Sequence, residues 1–232
     1  MDEESEIRQI NQNYEEVFRN IDDSGEADMA EAVNHGMLVS SLAYRLSKEL
    51  GSDEEACYMM SVAGMVHDIG KLKLTDYIYG RHKGGLMIEE LRYIRTHPTL
   101  GYLALAEQNY PKTILLAVLH HHENYDGSGY PDNLAGEEIP YEARILRVCD
   151  VFAALVSNRL YRQAFSTDAA VELMIDEVKN FDMAMFLAFL RVIHSDEFAH
   201  IKVMIDMANA HPLQEPDGCL DVHPLDGVSG NH

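Results

Sequence analysis

The chain has 232 residues, 47% of them apolar and 25% charged, enough to bury a substantial core. Asp and Glu number 39 against 18 Lys and Arg, a formal charge of −21 that argues against binding a nucleic-acid polymer. A small anion remains compatible, because bound metals and a few local cations can reverse the sign of a pocket. The apolar runs are too short to span a membrane and the opening "MDEESEIRQI" has no signal-peptide pattern, so a cytoplasmic protein without a membrane partner is expected. Cys57, Cys149 and Cys219 lack metal-type spacing, and the first two read as small core residues.

Apolar residues recur at helical spacing almost throughout, and no convincing period-2 strand is visible, so the fold class is all-α. In chain order, helices are expected near residues 5–20, 28–50, 53–69, 87–95, 99–109, 111–122, 140–157, 167–179, 182–193 and 196–209. Asp28 with Glu31 resembles a capping box, Gly51 and Gly70 suit helix C-termini, and Thr167 with Asp168 can open a later helix. Residues 211–232 hold three of the seven prolines and little periodicity, and read as a weakly ordered tail.

Several polar residues occupy positions that this spacing assigns to the core. In 111–122 the stripes Ile114, Ala117, Val118 and Leu115, Val118, Leu119 run on into His121 and His122, while His120 lies on a neighbouring arc. In 53–69 the stripe Met59, Ala63, Val66 meets His67 with Asp68 beside it. Glu31 and His35 share a face with Leu38 and Leu42, and Asp150 follows Leu146 by one turn. One such histidine is more often a hydrogen-bonded core residue than a ligand. Three carboxylates among several imidazoles are different, because they need a shared compensating charge, and metal ions supply it. With His97 in "THPTLG" the candidates are Glu31, His35, His67, Asp68, His97, His121, His122 and Asp150. Eight ligands exceed one six-coordinate ion with an open position. Two or three divalent ions fit better, with Asp68 giving one oxygen to each of two. The absence of Cys disfavours a structural zinc site; mixed N/O ligation suits Fe or Mn, and admits Zn, Co or Ni.

The motifs "HDIGK" at 67–71, "HP" at 97–98, "HHENYDGSGYP" at 121–131 and "RILRVCDVFAAL" at 144–155 together resemble the HD-GYP domain. That family is a branch of the HD phosphohydrolase superfamily whose characterised members hydrolyse the bacterial second messenger cyclic di-GMP. The resemblance covers about residues 28–190. It implies an HD-type helical bundle with a GYP loop beside a multinuclear metal site, a domain over 28–195 between an N-terminal extension (1–27) and a C-terminal helix (196–210). It also implies metal ligation by His35, His67, Asp68, His97, His121, His122 and Asp150, with Glu31 matching the extra carboxylate of three-metal members. By the same resemblance Lys71 contacts a substrate phosphate, Arg159 and Arg162 grip the dinucleotide, and Asp126 to Pro131, Tyr130 included, shape its pocket; His120 matches no ligand. This chain has Ala153 where the family usually carries an Asp, Thr75-Asp76 for its "PD", and "FDM" at 181–183 for its "FDP".

The expected activity is therefore a metal-dependent phosphodiesterase that opens cyclic di-GMP to pGpG, and further to GMP, with Asp68 and Lys71 at the reacting phosphate and Asp126 as a proton source for the leaving oxygen. A related substrate, 3′,3′-cyclic GMP-AMP, is the alternative. Two other classes compete: a module that binds a cyclic dinucleotide without cutting it, and two-iron oxidative chemistry, against which Lys71 and the GYP segment count. A homodimer through the N-terminal helix is compatible with its amphipathic pattern.

Overall fold

The computed structural model describes residues 26–74, 92–158 and 162–210. They form eight α-helices and three 3-10 turns, with no strand among the described residues. The expected helix at 5–20, on which the dimer rested, and the tail at 211–232 lie outside the described residues, as does Arg159.

Helix α1 (Glu26–Glu49) buries Leu38, Val39, Leu42, Ala43 and Leu46, a stripe at spacings of three and four. It is already helical at Glu26, so Asp28 lies inside it and does not form the expected capping box. Its C-terminus is closed as expected by Gly51, whose φ of 85° suits a residue without Cβ, and the Gly51 and Ser52 amides donate to Lys48 O and Ser47 O.

Helix α2 (Glu54–Val66) starts at Asp53, whose carboxylate accepts from the Ala56 amide at 2.8 Å. It lies unusually close to α1. A Cβ on Gly64 would come within 2.8 Å of Ser40 backbone atoms, and one on Gly36 within 2.8 Å of Met65 O. These two glycines let the backbones touch, and that contact brings His35 of α1 beside His67 at the end of α2.

The chain then enters a 3-10 turn (Ile69–Leu74) packed on helix α3 (His97–Glu107). Gly70 was expected to cap a helix C-terminus; instead it marks a crossing, because a Cβ there would collide with His97 O and Gly101 N. Only glycine lets Asp68 and His97 approach in this way. Residues 92–94 are helical, and the helix expected at 99–109 begins two residues earlier, with Pro98 in its first turn.

Helix α4 (Lys112–His120) is shorter than expected: His121 keeps helical dihedrals as its C-cap, and His122 opens the loop. Helix α5 (Tyr141–Val156) is the central element, touching α1, α2, α4 and the later helices. Its residues Ala143, Leu146, Cys149, Phe152 and Ala153 are fully buried. Helices α6 (Thr167–Asp176), α7 (Met183–Ile193) and α8 (Phe198–Ala208) close the core, with Phe152 edge-on to Phe189 and Phe198. The cap of α6 is Ser166, one residue before the expected Thr167, and Asp182 caps α7. Cys57 and Cys149 are buried as free thiols, as expected.

Candidate metal centre

The ends of α2, α3 and α4, the middle of α5 and the third turn of α1 converge on one point. His67, His97 and His121 share a device that fixes their rings. The Nδ1 of each lies 2.6 to 2.8 Å from the backbone carbonyl three residues earlier, of Gly64, Ile94 and Val118 respectively. A carbonyl only accepts, so Nδ1 carries a proton and leaves Nε2, turned to the interior, as the nitrogen available for a ligand bond. Those nitrogens crowd together: His97 Nε2 stands 3.3 Å from His121 Nε2 and 3.2 Å from His122 Nε2. Two facing lone pairs repel unless a cation lies between them.

The ligand atoms form two groups: Asp68, His97, His121 and His122, and His35, His67 and Asp150. Asp68 joins them. Its Oδ1 is 3.1 Å from His97 Nε2 and 3.8 Å from His121 Nε2, while Oδ2 is 3.4 Å from His67 Nε2 and 3.9 Å from His35 Nε2. Asp150 lies 3.0 Å from His35 and 3.5 Å from His67 through Oδ1, and reaches towards His122 with Oδ2. Buried His67 Nε2 and Asp68 Oδ1 have no hydrogen-bond partner, an arrangement that costs free energy in a protein interior. Imidazole lone pairs, paired carboxylates and these orphaned atoms fit divalent cations held by nitrogen and oxygen. All seven expected ligands other than Glu31 are thus brought together. Glu31 sits one turn before His35 on α1 and joins neither group.

The charges follow the geometry. Burial alone would raise Asp68, but the Lys71 ammonium and the His67 charge, with His97 close by, hold its carboxyl well below the usual range. Burial would likewise raise Asp150, and the hydrogen bond from His35 with the adjacent His67 charge brings it well below. Burial would lower His67, yet the adjacent charges of Asp68 and Asp150 push it up to about 10. Burial and the neighbouring His67 and His97 charges pull His121 down to about 3, and burial with His121 lowers His122 strongly.

Lys71 reaches the Asp68 Oδ2 face of the cluster, 40% exposed, where an incoming anion would meet it. Tyr130 stacks on His122 with centroids 4.8 Å apart and planes 25° from parallel, so the GYP loop does form one wall of the site. Two expectations need correction. Arg162 is not presented to a ligand: its guanidinium donates to Leu155 O, Ala154 O and Gln163 O and covers the Phe165 ring, which ties the segment after α5 back onto that helix. Asp126 is no proton donor. It accepts from the Ser128 hydroxyl and amide and lies 3.7 Å from Lys179 Nζ, contacts that keep the carboxyl ionised.

Sequence reasoning also missed residues. Glu123 is fully buried, and its Oε1 accepts from the Asp132 amide at 2.7 Å across the loop, while the Tyr130 amide donates to His122 O. His120 is buried, with Nδ1 3.8 Å from Glu123 Oε1, and belongs to neither ligand group. A glutamate directly after three histidines was the available signal. Arg147 and Arg95 border Tyr130, and nothing in the periodicity marked them.

Comparison with known proteins bears on the same residues. The family described as "HD domain" matches residues 11–185, three quarters of the chain and the whole of the cluster. The chain belongs to the HD-domain family. Within it, the chain is 41% identical over 135 residues to the cyclic di-GMP phosphodiesterase response regulator RpfG of Xanthomonas campestris pv. campestris, covering 57% of this chain and 35% of that protein. It is 34% identical over 160 residues to the cyclic di-GMP phosphodiesterase PA4108 of Pseudomonas aeruginosa, covering 68% and 38%. It is 32% identical over 204 residues to the 3′3′-cGAMP-specific phosphodiesterase 2 of Vibrio cholerae, covering 84% and 38%. The chain thus spans little more than a third of the length of these HD-domain relatives. In fold it is similar to Bd1817, an HDG"Y"P protein from Bdellovibrio bacteriovorus, with a TM-score of 0.58 at 18% identity over 82% of this chain and 60% of that one. No helix among the described residues is long and apolar enough to cross a membrane.

Proposed function

We propose that the protein is a metal-dependent phosphodiesterase that hydrolyses a cyclic dinucleotide, cyclic di-GMP to pGpG and then GMP, or 3′,3′-cyclic GMP-AMP. The observation that carries this reading is Asp68 standing between two ligand groups with one oxygen turned to each. That arrangement suits a bridging carboxylate in a two-metal phosphoryl site. Relatives named for both substrates match the chain over more than half of its length, which is why both belong in the reading.

In this assignment His97, His121, His122 and Asp68 would hold one ion, and His35, His67 and Asp150, with Asp68 beside them, would hold a second. Iron or manganese suits five imidazoles and two carboxylates. Two such ions would supply an activated water and neutralise charge on the phosphoryl oxygens. Lys71 adds a cation beside the same oxygens, and its pairing with Asp68 keeps the bridging carboxylate ionised. Tyr130, with His122 stacked on its ring and the Arg95 guanidinium over it, gives the pocket an aromatic wall beside the cluster. Ala153 is buried in the core and Asp126 accepts from Ser128, so neither supplies the proton for the departing 3′ oxygen. Glu31, one helical turn before His35, would serve a third ion.

The test is incubation of the Mn- or Fe-loaded chain with cyclic di-GMP and with 3′,3′-cyclic GMP-AMP, followed by separation of the nucleotides. Linear dinucleotide or mononucleotide is expected from at least one. Tight binding with unchanged nucleotide would replace the hydrolytic reading with that of a binding module, and neither binding nor turnover would overturn both.

A further inference from the structure

A cyclic dinucleotide carries two phosphodiester anions, and only one can lie over the metal groups at a time. In a chain of net charge −21 the second needs a dedicated cation. The basic residues near the site are mostly occupied. Lys71 is paired with Asp68, Arg144 donates to Asp182 at 2.6 Å, and Arg162 is bound to three backbone carbonyls.

Arg147 differs from these. It precedes Asp150 by one turn on α5, so it shares the face that carries a metal-group carboxylate. Its Nε donates to Asn124 Oδ1 at 3.0 Å, which fixes the plane of the guanidinium, while its two terminal amino groups have no acceptor among the described residues. The same charge acts on the Tyr130 phenol and on Asp150. Arg95 enters from α3's side of the loop, its guanidinium 5.1 Å from the Tyr130 ring centroid. Tyr130 itself rests on His122. One guanidinium therefore lies over the aromatic wall, and the other is anchored at Asn124, two residues after the ligand His122, pre-oriented with its donor fork open.

We propose that Arg147, assisted by Arg95, forms an anion subsite that receives the second, uncleaved phosphate of the cyclic dinucleotide and so selects two-phosphate rings over simple diesters. A planar fork with one nitrogen already anchored loses little further freedom on binding phosphate, which favours this role over that of a mobile lysine. The inference rests on the hydrolytic reading above, and the experiment keeps the two apart.

The full chain, metal-loaded, is compared with Arg147→Ala, Arg147→Lys and Asn124→Ala on the cyclic dinucleotide it cuts and on bis(p-nitrophenyl) phosphate, a diester with one phosphate. Arg147→Ala should raise KM for the cyclic dinucleotide about tenfold or more, with most of the loss in KM and not in kcat, and should change KM for the small diester far less. Arg147→Lys should recover part of the difference, and Asn124→Ala should cost less than Arg147→Ala. Equal losses on both substrates, or Asn124→Ala reproducing the whole effect, would overturn the subsite, since Arg147 would then only prop the loop. Should the wild type cut neither substrate, the hydrolytic reading falls on its own. The subsite is then judged by equilibrium binding of a phosphorothioate cyclic dinucleotide: weakening of about tenfold in Arg147→Ala upholds it, and an equal Kd overturns it.

Discussion

His67 and His121 are both enclosed, and both place Nδ1 on the carbonyl three residues back, yet in the protein alone one is a strong base and the other hardly a base at all. The ring and its tether are the same; the neighbours differ. His67 stands between Asp68 and Asp150, and His121 faces His67 and His97. One half of the cluster already balances its carboxylates with a protonated imidazole, whereas the other keeps His121 and His122 neutral, with lone pairs that have nothing to bind. A divalent ion entering the first half must displace a proton, and one entering the second need not. The two halves are thus prepared for metal in different ways, and Asp68 couples them.

The harshest break of this comparison is Asp68→Asn. Because each oxygen serves one half, its loss should empty both: metal content should fall below one ion per chain and turnover by about 10³ or more. His121→Ala should remove only the ion of its own half. Elemental analysis of the purified variants separates the cases, and an Asp68→Asn protein retaining one full equivalent would show that the halves are independent.

Glu123→Ala sharpens the contrast from outside the ligand set. Its carboxylate holds the Asp132 amide, and the loop it closes carries Tyr130 against His122. Removing it should weaken metal binding at the His97, His121 and His122 half by about tenfold while sparing the His35, His67 and Asp150 half. Thermal stability should drop by roughly 1–3 kcal/mol, because buried loop groups lose their partner. Glu123→Gln, which retains an acceptor oxygen, should recover most of both. Equal metal loss from the two halves in competition titrations would sink the assignment of Glu123 to one side.

Helical phase alone separated His121 and His122 from His120 and placed His35, His67 and Asp150 at the interior, because a ligand-bearing stripe obeys the same 3.6-residue period as the core it interrupts. What periodicity could not show was how helices cross. The roles of Gly36, Gly64 and Gly70 depend on a partner backbone distant in sequence, and each reads locally as an unremarkable helix breaker or spacer. Arg147 and Arg162 illustrate the same boundary. Arg147 lies within the motif that carries Asp150 and Arg162 shortly after it, and only the fold reveals that Arg162 is spent on carbonyls while Arg147 keeps its fork open. Helix starts, a local property, were legible to within a residue, at 53 for α2 and at Thr167 for α6; Asp28 misled because helix α1 extends past the local signal.

The smallest expected effect concerns protons. His67 is raised from 6.5 to about 10, so in the chelated protein its contribution to stability is fully present below pH 6.5 and is lost as pH rises through about 10. His121 is lowered from 6.5 to about 3, so its contribution is present above pH 6.5 and is lost as pH falls through about 3. These two groups together place the stability maximum of the chelated chain near pH 6.5, with an alkaline limb that His67→Ala should flatten and an acid limb that His121→Ala should flatten. The same asymmetry predicts the stoichiometry of metal loading at pH 8. Calorimetric titrations in buffers of different ionisation enthalpy should report about one proton released by the ion that enters the His67 half and none by the ion that enters the His121 half. Equal release from both would mean that the carboxylates share their charge across the cluster, and the division into two unlike halves would have to be abandoned.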